Sequence, residues 1–157
     1  MNDLTLSSDH VYRIGSRIVP SVTQTIGRAG LDPNKGFYTP KGATKGTQIH
    51  WMLEQYDHEV LPEGVNEEFS GYLKAYSSFC KFNKPIWDID GIEQTFYNEE
   101  YDFAGTRDRV GSILWEGKRT PCCLDIKSGG KQGWHKIQLA GYAIDHRYEW
   151  QRFGLYV

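Results

Sequence analysis

The apolar pattern changes period at Pro85, and this change constrains the fold more than any other feature of the chain. Before it the spacing is helical. Ile49, Leu53 and Tyr56 share a face across residues 44–59, and Val65, Phe69, Tyr72, Leu73, Tyr76 and Phe79 form a broad stripe across 62–79. After it, aromatic and β-branched residues predict strands over 86–97, 101–110, 111–115 and 121–127. A turn at 98–100 and a hairpin turn at Glu116-Gly117-Lys118 separate them. A glycine-rich loop, 128–133, leads into a helix over 134–147 that packs through Ile137, Ala140, Gly141 and Ile144, and a short strand follows over 153–157.

Upstream, residues 10–23 read as a hairpin turning at Gly15-Ser16. Pro20 ends its second strand, and Ser21 caps a short helix through Ile26. Residues 27–45, rich in Gly, Pro, Lys and Asn, read as a basic loop or arch. Helices, an antiparallel meander, a helix and a strand make an α/β chain of the α+β kind. A mixed, mostly antiparallel central sheet is flanked by helices. A length of 157 residues suits one domain spanning 1–157, with a core over 46–157 that needs no disulfide or metal staple.

Composition narrows the function classes. With 14% aromatic residues the chain is not of the disordered kind. No apolar run approaches the roughly 20 residues of a membrane span, and MNDLTLSSDH lacks the apolar stretch of a secretory signal. Cys80 and the adjacent Cys122 and Cys123 fit neither a disulfide framework nor the usual zinc spacing, so reduced thiols in a cytoplasmic protein are expected.

The formal charge of −2 conceals clustering. Residues 10–45 carry six basic side chains against Asp32, residues 54–68 carry six acidic ones and no Lys or Arg, and residues 118–136 carry five basic ones against Asp125. Such runs are either solvated faces or a locally positive cleft that steers a polyanion.

The chemistry-bearing stretch is Leu124-Asp125-Ile126-Lys127-Ser128-Gly129. Strand alternation puts Asp125 and Lys127 on one face and Leu124 and Ile126 toward the core. Gly105-Thr106-Arg107-Asp108 lies on the preceding strand, so Asp108 can face Asp125 across a bent sheet. Two carboxylates held close repel unless a cation lies between them, and hard oxygen ligands suit Mg²⁺ or Mn²⁺. Gln138 and Tyr142 are four apart on a helix and share a face, and His50 sits on the earlier helix. Taken singly, each also reads as an ordinary surface or core residue.

In order and spacing, Gly46-x-x-x-His50, Gly105-x-x-Asp108, Asp125-x-Lys127 and Gln138-x-x-x-Tyr142 resemble the RecB-like branch of the PD-(D/E)XK nucleases. The opening residues look most like its phage-encoded and mitochondrial genome-maintenance exonucleases. The resemblance implies a restriction-endonuclease-like core and a Mg²⁺- or Mn²⁺-dependent exonuclease. Its substrate would be single-stranded DNA or DNA ends, in phage or bacterial recombination, repair or degradation.

By the same resemblance His50, Asp108 and Asp125 are metal ligands, joined by the Ile126 carbonyl. Lys127 is the catalytic lysine, Gln138 and Tyr142 orient it and touch the DNA backbone, and Glu93 is a further acid. Arg107-Asp108 stands where the superfamily name has Pro-Asp. No cysteine follows Cys123, which implies no iron–sulfur cluster. Relatives continue with a further strand pair after the helix, so the resemblance implies a sheet trimmed at Val157.

Lys41 and Lys45 in the first basic run, and Lys131 and Lys136 near the last helix, are candidates to grip the strand. Trp134, Phe37 and Tyr38 are candidates to stack on bases, with plain packing the alternative for each. A non-catalytic DNA-binding module and a small interaction protein are the readings of other classes.

Overall fold

The computed structural model describes residues 3–31, 40–60, 67–146 and 148–157. Its centre is a four-stranded sheet in which β4 (Ile86–Asn98), β5 (Phe103–Trp115), β6 (Lys118–Lys127) and β7 (Gln151–Tyr156) lie in sequence order. The first three pair antiparallel and β7 pairs parallel to β6. A smaller antiparallel meander joins β1 (Leu4–Leu6), β2 (Tyr12–Ile14) and β3 (Arg17–Val19). The mixed, mostly antiparallel sheet follows the expectation; β1 is an addition to it.

Among the described residues four helices flank the large sheet: α1 (Val22–Arg28), α2 (Pro40–Asp57), α3 (Ser70–Asn83) and α4 (His135–Tyr142). Alternation along β6 sorts them into two layers. Cys123 packs with Val22, Ile26, Leu139 and Tyr142 of α1 and α4. Leu124 and Ile126 pack with Ile49, Leu53 and Tyr76 of α2 and α3. Burial pushes the Cys122 and Cys123 thiols up to about 12, so both are protonated packing groups.

Helix α1 begins as the sequence predicts. Ser21 and Gln24 form a reciprocal capping box, which satisfies donors that the first turn otherwise leaves orphaned. Gly141 lets α1 and α4 approach closely, since a Cβ there would lie 2.9 Å from a Val22 methyl.

Several boundaries differ from the sequence reading. Helix α2 starts at Pro40, inside the expected arch, because proline is well suited to a first helical turn. Lys41 and Lys45 are therefore helical rather than in a loop. The rest of the arch, with Phe37 and Tyr38, lies outside the described residues, as does Val65. Helix α3 starts at Ser70 after a single 3-10 turn, Glu67–Phe69.

Strand β5 is one strand where two were expected, because Gly111 marks a close approach and not a turn. A Cβ there would sit 2.3 Å from the Ile86 carbonyl oxygen. The last helix is shorter than predicted. Arg107 Nε takes the Tyr142 carbonyl at 2.6 Å, and the chain continues as a 3-10 turn, Ile144–His146.

A candidate metal and phosphodiester site at the fork of β5 and β6

The pairing of β5 with β6 runs from Trp115↔Lys118 to Arg109↔Leu124 and stops there. The next rung would set Asp108 against Asp125. Instead the Ile126 N–H donates to Asp108 Oδ2 at 2.5 Å, so a carboxylate replaces a backbone carbonyl as acceptor where the strands part. Residues two apart on a regular strand share a face. Here Arg107 stacks over Phe96 on the α1/α4 side, while Arg109 bonds to Asp57 of α2 on the other. The strand thus turns over at Asp108.

Opposite the fork, β4 is equally irregular. Its register against β5 shifts between Trp87 and Ile92, and Glu93 adopts φ +49°, a left-handed conformation that a residue with a Cβ holds only under constraint. The constraint is visible. Arg109, fully buried, donates to Glu93 Oε1 at 3.0 Å, to Asp57 Oδ2 at 2.6 Å and to the Asp108 carbonyl at 2.6 Å. Asp57 also accepts from the Tyr76 hydroxyl at 2.7 Å and from Trp87 Nε1 at 3.1 Å. Arg109, Asp57, Tyr76 and Trp87 thereby fix where Glu93 points. The sequence pattern did not single out any of the four in this role, since their partners lie 16 to 52 residues away in the chain for Arg109 alone.

From α2, His50 completes the group. Its Nδ1 lies 3.6 Å from Asp108 Oδ1 and 3.8 Å from Glu93 Oε1. One ligand atom each from His50, Glu93 and Asp108 fall within 4.8 Å of one another. They border a cleft of about 700 Å³ that Tyr12, Trp51 and Gln138 also line.

Asp125 is not in that group of three. It turns to Lys127, whose Nζ lies 3.0 Å from Oδ1 and 2.9 Å from Oδ2. Only the Oδ1 contact has hydrogen-bond geometry, so Oδ2 is buried without a hydrogen-bond partner. Lys127 also donates to Gln138 Oε1 at 2.8 Å, and Gln138 Nε2 donates to the Tyr142 hydroxyl at 2.9 Å and to Thr23 Oγ1 at 3.0 Å. The helix-borne pair thus reaches the lysine through Gln138, and α1 supports it through Thr23. Ile126 contributes its N–H to Asp108 and its side chain to the core.

The outer candidates divide. Trp134 packs beside the α4 core with the Lys127 ammonium 5.9 Å from its ring centre. Lys45 lies 3.5 Å from Glu68 and over the Tyr72 ring. Lys41, Lys131 and Lys136 are exposed.

The electrostatics describe a site short of positive charge. Burial, then Asp125 and Glu93, push Asp108 up to about 7 against the pull of His50 and Lys127. Burial raises Asp125 although Lys127 opposes it. Burial depresses His50, but facing Glu93 and Asp108 outweighs this and the net shift is upward. Glu93 moves down, since His50 and Arg109 together outweigh its burial. Three carboxylates and one imidazole, with Asp125 Oδ2 lacking a hydrogen bond, form an oxygen-rich donor set that fits Mg²⁺ or Mn²⁺.

Among the described residues no helix is long and apolar enough to cross a membrane. In comparisons with known proteins, no family model and no curated protein matches the chain.

Proposed function

We propose that the protein is a metal-dependent nuclease that hydrolyses phosphodiester bonds in DNA, acting as an exonuclease on single strands or strand ends. The observation that carries this reading is the convergence of His50, Glu93 and Asp108 beside an Asp125–Lys127 pair whose lysine is held by Gln138. A buried acid cluster that Lys127, Arg109 and His50 only partly neutralise is costly to a fold, and it fits a site that a divalent cation completes.

When bound, the divalent ion supplies Lewis-acid polarisation of the phosphoryl group and neutralises charge. His50, Glu93 and Asp108 would hold it, with Asp125 beside them. The ammonium of Lys127 stabilises the negative charge that develops on the phosphate, and Gln138 keeps it aimed there. Arg109 holds Glu93 in its left-handed conformation, so the ligand geometry is built before substrate arrives.

The test is cleavage of end-labelled single- and double-stranded DNA with Mg²⁺ or Mn²⁺. Lys127→Ala is expected to lower kcat by about 10²-fold or more, the scale of losing one charge-stabilising group, while metal affinity measured by calorimetry is retained. Wild-type turnover in Lys127→Ala, or cutting that persists in EDTA, would overturn the reading.

A further inference from the structure

A second cavity, of about 480 Å³, lies on the other flank of Asp125, between β7 and the N-terminal end of α4. Its size is that of a small-molecule site. Strand β7 pairs parallel to β6 with Arg152 beside Cys123, Gly154 beside Asp125 and Tyr156 beside Lys127. The period of two puts Arg152, Gly154 and Tyr156 on one face, the face of Asp125 and Lys127. Gly154 brings no side chain there, so Asp125 lines the cavity, and the Tyr156 ring lies 3.5 Å from where a Cβ at 154 would stand.

The opposite wall is basic. Lys131 and Lys136 line it, and Arg152 joins them from β7. None of the three has an ion-pair or hydrogen-bond partner among the described residues, unlike Arg17, Arg107, Arg109 and Lys127. The Tyr156 hydroxyl and His135 Nδ1, 3.0 Å apart, add polar groups at the same rim. Helix α4 opens toward this cavity with no side-chain cap on its first turn. Three cations without a partner among the described residues, converging on one concavity, are a device for an anion.

We propose that this cavity is a phosphate subsite, holding the phosphate of a nucleic-acid strand next to the one placed at Asp108 and Asp125. The proposal rests on the phosphodiester reading above. Its floor at Gly154 lies one strand over from Asp125, so the cavity directly adjoins the acidic group. The acidic group and the basic cavity thus flank Asp125 and divide the strand between them, one taking the bond to be cut and the other the neighbouring anion.

The test measures binding in EDTA, where no cleavage occurs, using a fluorescent single-stranded oligonucleotide with a 5′-phosphate, a 3′-phosphate or hydroxyl ends. Lys136→Gln with Arg152→Gln is expected to raise Kd about tenfold or more and to flatten the salt dependence by about 0.7 per cation removed. Lys74→Gln, an exposed lysine on α3, removes the same kind of charge elsewhere and is expected to change Kd by less than about twofold.

Gly154→Val adds bulk at the cavity floor, against the Tyr156 ring, without altering charge in a strand that accepts valine. It is expected to weaken binding while leaving the salt slope unchanged. A gain from one terminal phosphate that disappears in the variants identifies a strand-end group, and equal binding of all three oligonucleotides identifies an internal phosphate.

Wild-type affinity in Gly154→Val, losses in the double variant no larger than in Lys74→Gln, or no binding by the wild type in EDTA would each overturn the subsite. Intact binding behaviour with no cleavage in Mg²⁺ or Mn²⁺ would leave the subsite standing and refute the nuclease.

Discussion

Arg109 shows how much of the site is decided by a side chain that faces away from the cleft. It is fully buried and is held by Asp57, Glu93 and the Asp108 carbonyl. A buried ion pair contributes little over an apolar core, but removing one partner strands the other charge. Arg109→Met is therefore expected to cost about 3–5 kcal/mol in urea unfolding. Tyr76→Phe, which removes one of several bonds to Asp57, is expected to cost about 1 kcal/mol. Equal losses in the two variants would show that Asp57, not the arginine, anchors the network. At this scale Asp125 and Lys127 were legible, because strand alternation alone puts them on one face. Glu93 was legible only as an acid on a strand. Its left-handed backbone depends on Arg109, and nothing in the local sequence encodes that.

Among the elements, the contact of α1 with α4 governs how the lysine is aimed. Thr23 of α1 accepts from Gln138 of α4, which accepts from Lys127, and the two helices touch where Gly141 meets Val22. Gly141→Ala would put a methyl 2.9 Å from a β-branched side chain that has little freedom to yield. The expected cost is about 1–3 kcal/mol of stability by denaturant unfolding, as for other overpacked contacts, despite the better helix propensity of alanine. A stabilised variant would mean that the helices are free to part.

The hairpin and the capping box of α1 were readable because both are local chemistry: a Gly-Ser turn, a proline, and Ser21 with Gln24 three residues on. The register shift in β4 and the unbroken run of β5 were not. Gly111 stands at an expected break between strands and Gly91 within an expected regular strand, yet each is a place where backbone approaches backbone within 2.3 Å of the missing Cβ. Only the paired strand reveals this.

For the molecule as a whole, the acid cluster sets a pH dependence. Asp108 is raised to about 7 from 3.8 in the folded state, Asp125 is raised as well, and His50 is raised above 6.5. A group with a raised folded pKa contributes stability that is complete below its unfolded pKa and is lost as pH rises through the folded one. Glu93 acts in the opposite sense, but only in acid, near and below its ordinary 4.5.

In EDTA the melting temperature should therefore fall as pH rises from about 5 to about 8, and saturating Mn²⁺ should raise it most at the alkaline end. A flat profile in EDTA, or a Mn²⁺ effect independent of pH, would show that the cluster is not short of positive charge. The layered α+β design was legible from the change of period at Pro85. The division of the near-neutral total into an acidic group and a basic cavity on either side of Asp125 was not, since it arises only when β7 is laid beside β6.

The hydrogen bond from the Ile126 N–H to Asp108 has an evolutionary consequence. One carboxylate serves both as a rung of the sheet and as a proposed ligand. Replacement by asparagine keeps an oxygen acceptor for the rung and removes the charge, whereas alanine removes both. On the proposed reading, a lineage that abandons catalysis can therefore drift to asparagine at this position without first losing its fold. The path from the proposed nuclease to a strand-holding scaffold is then a single substitution long, whereas the path through alanine also gives up the rung, at about 1–3 kcal/mol.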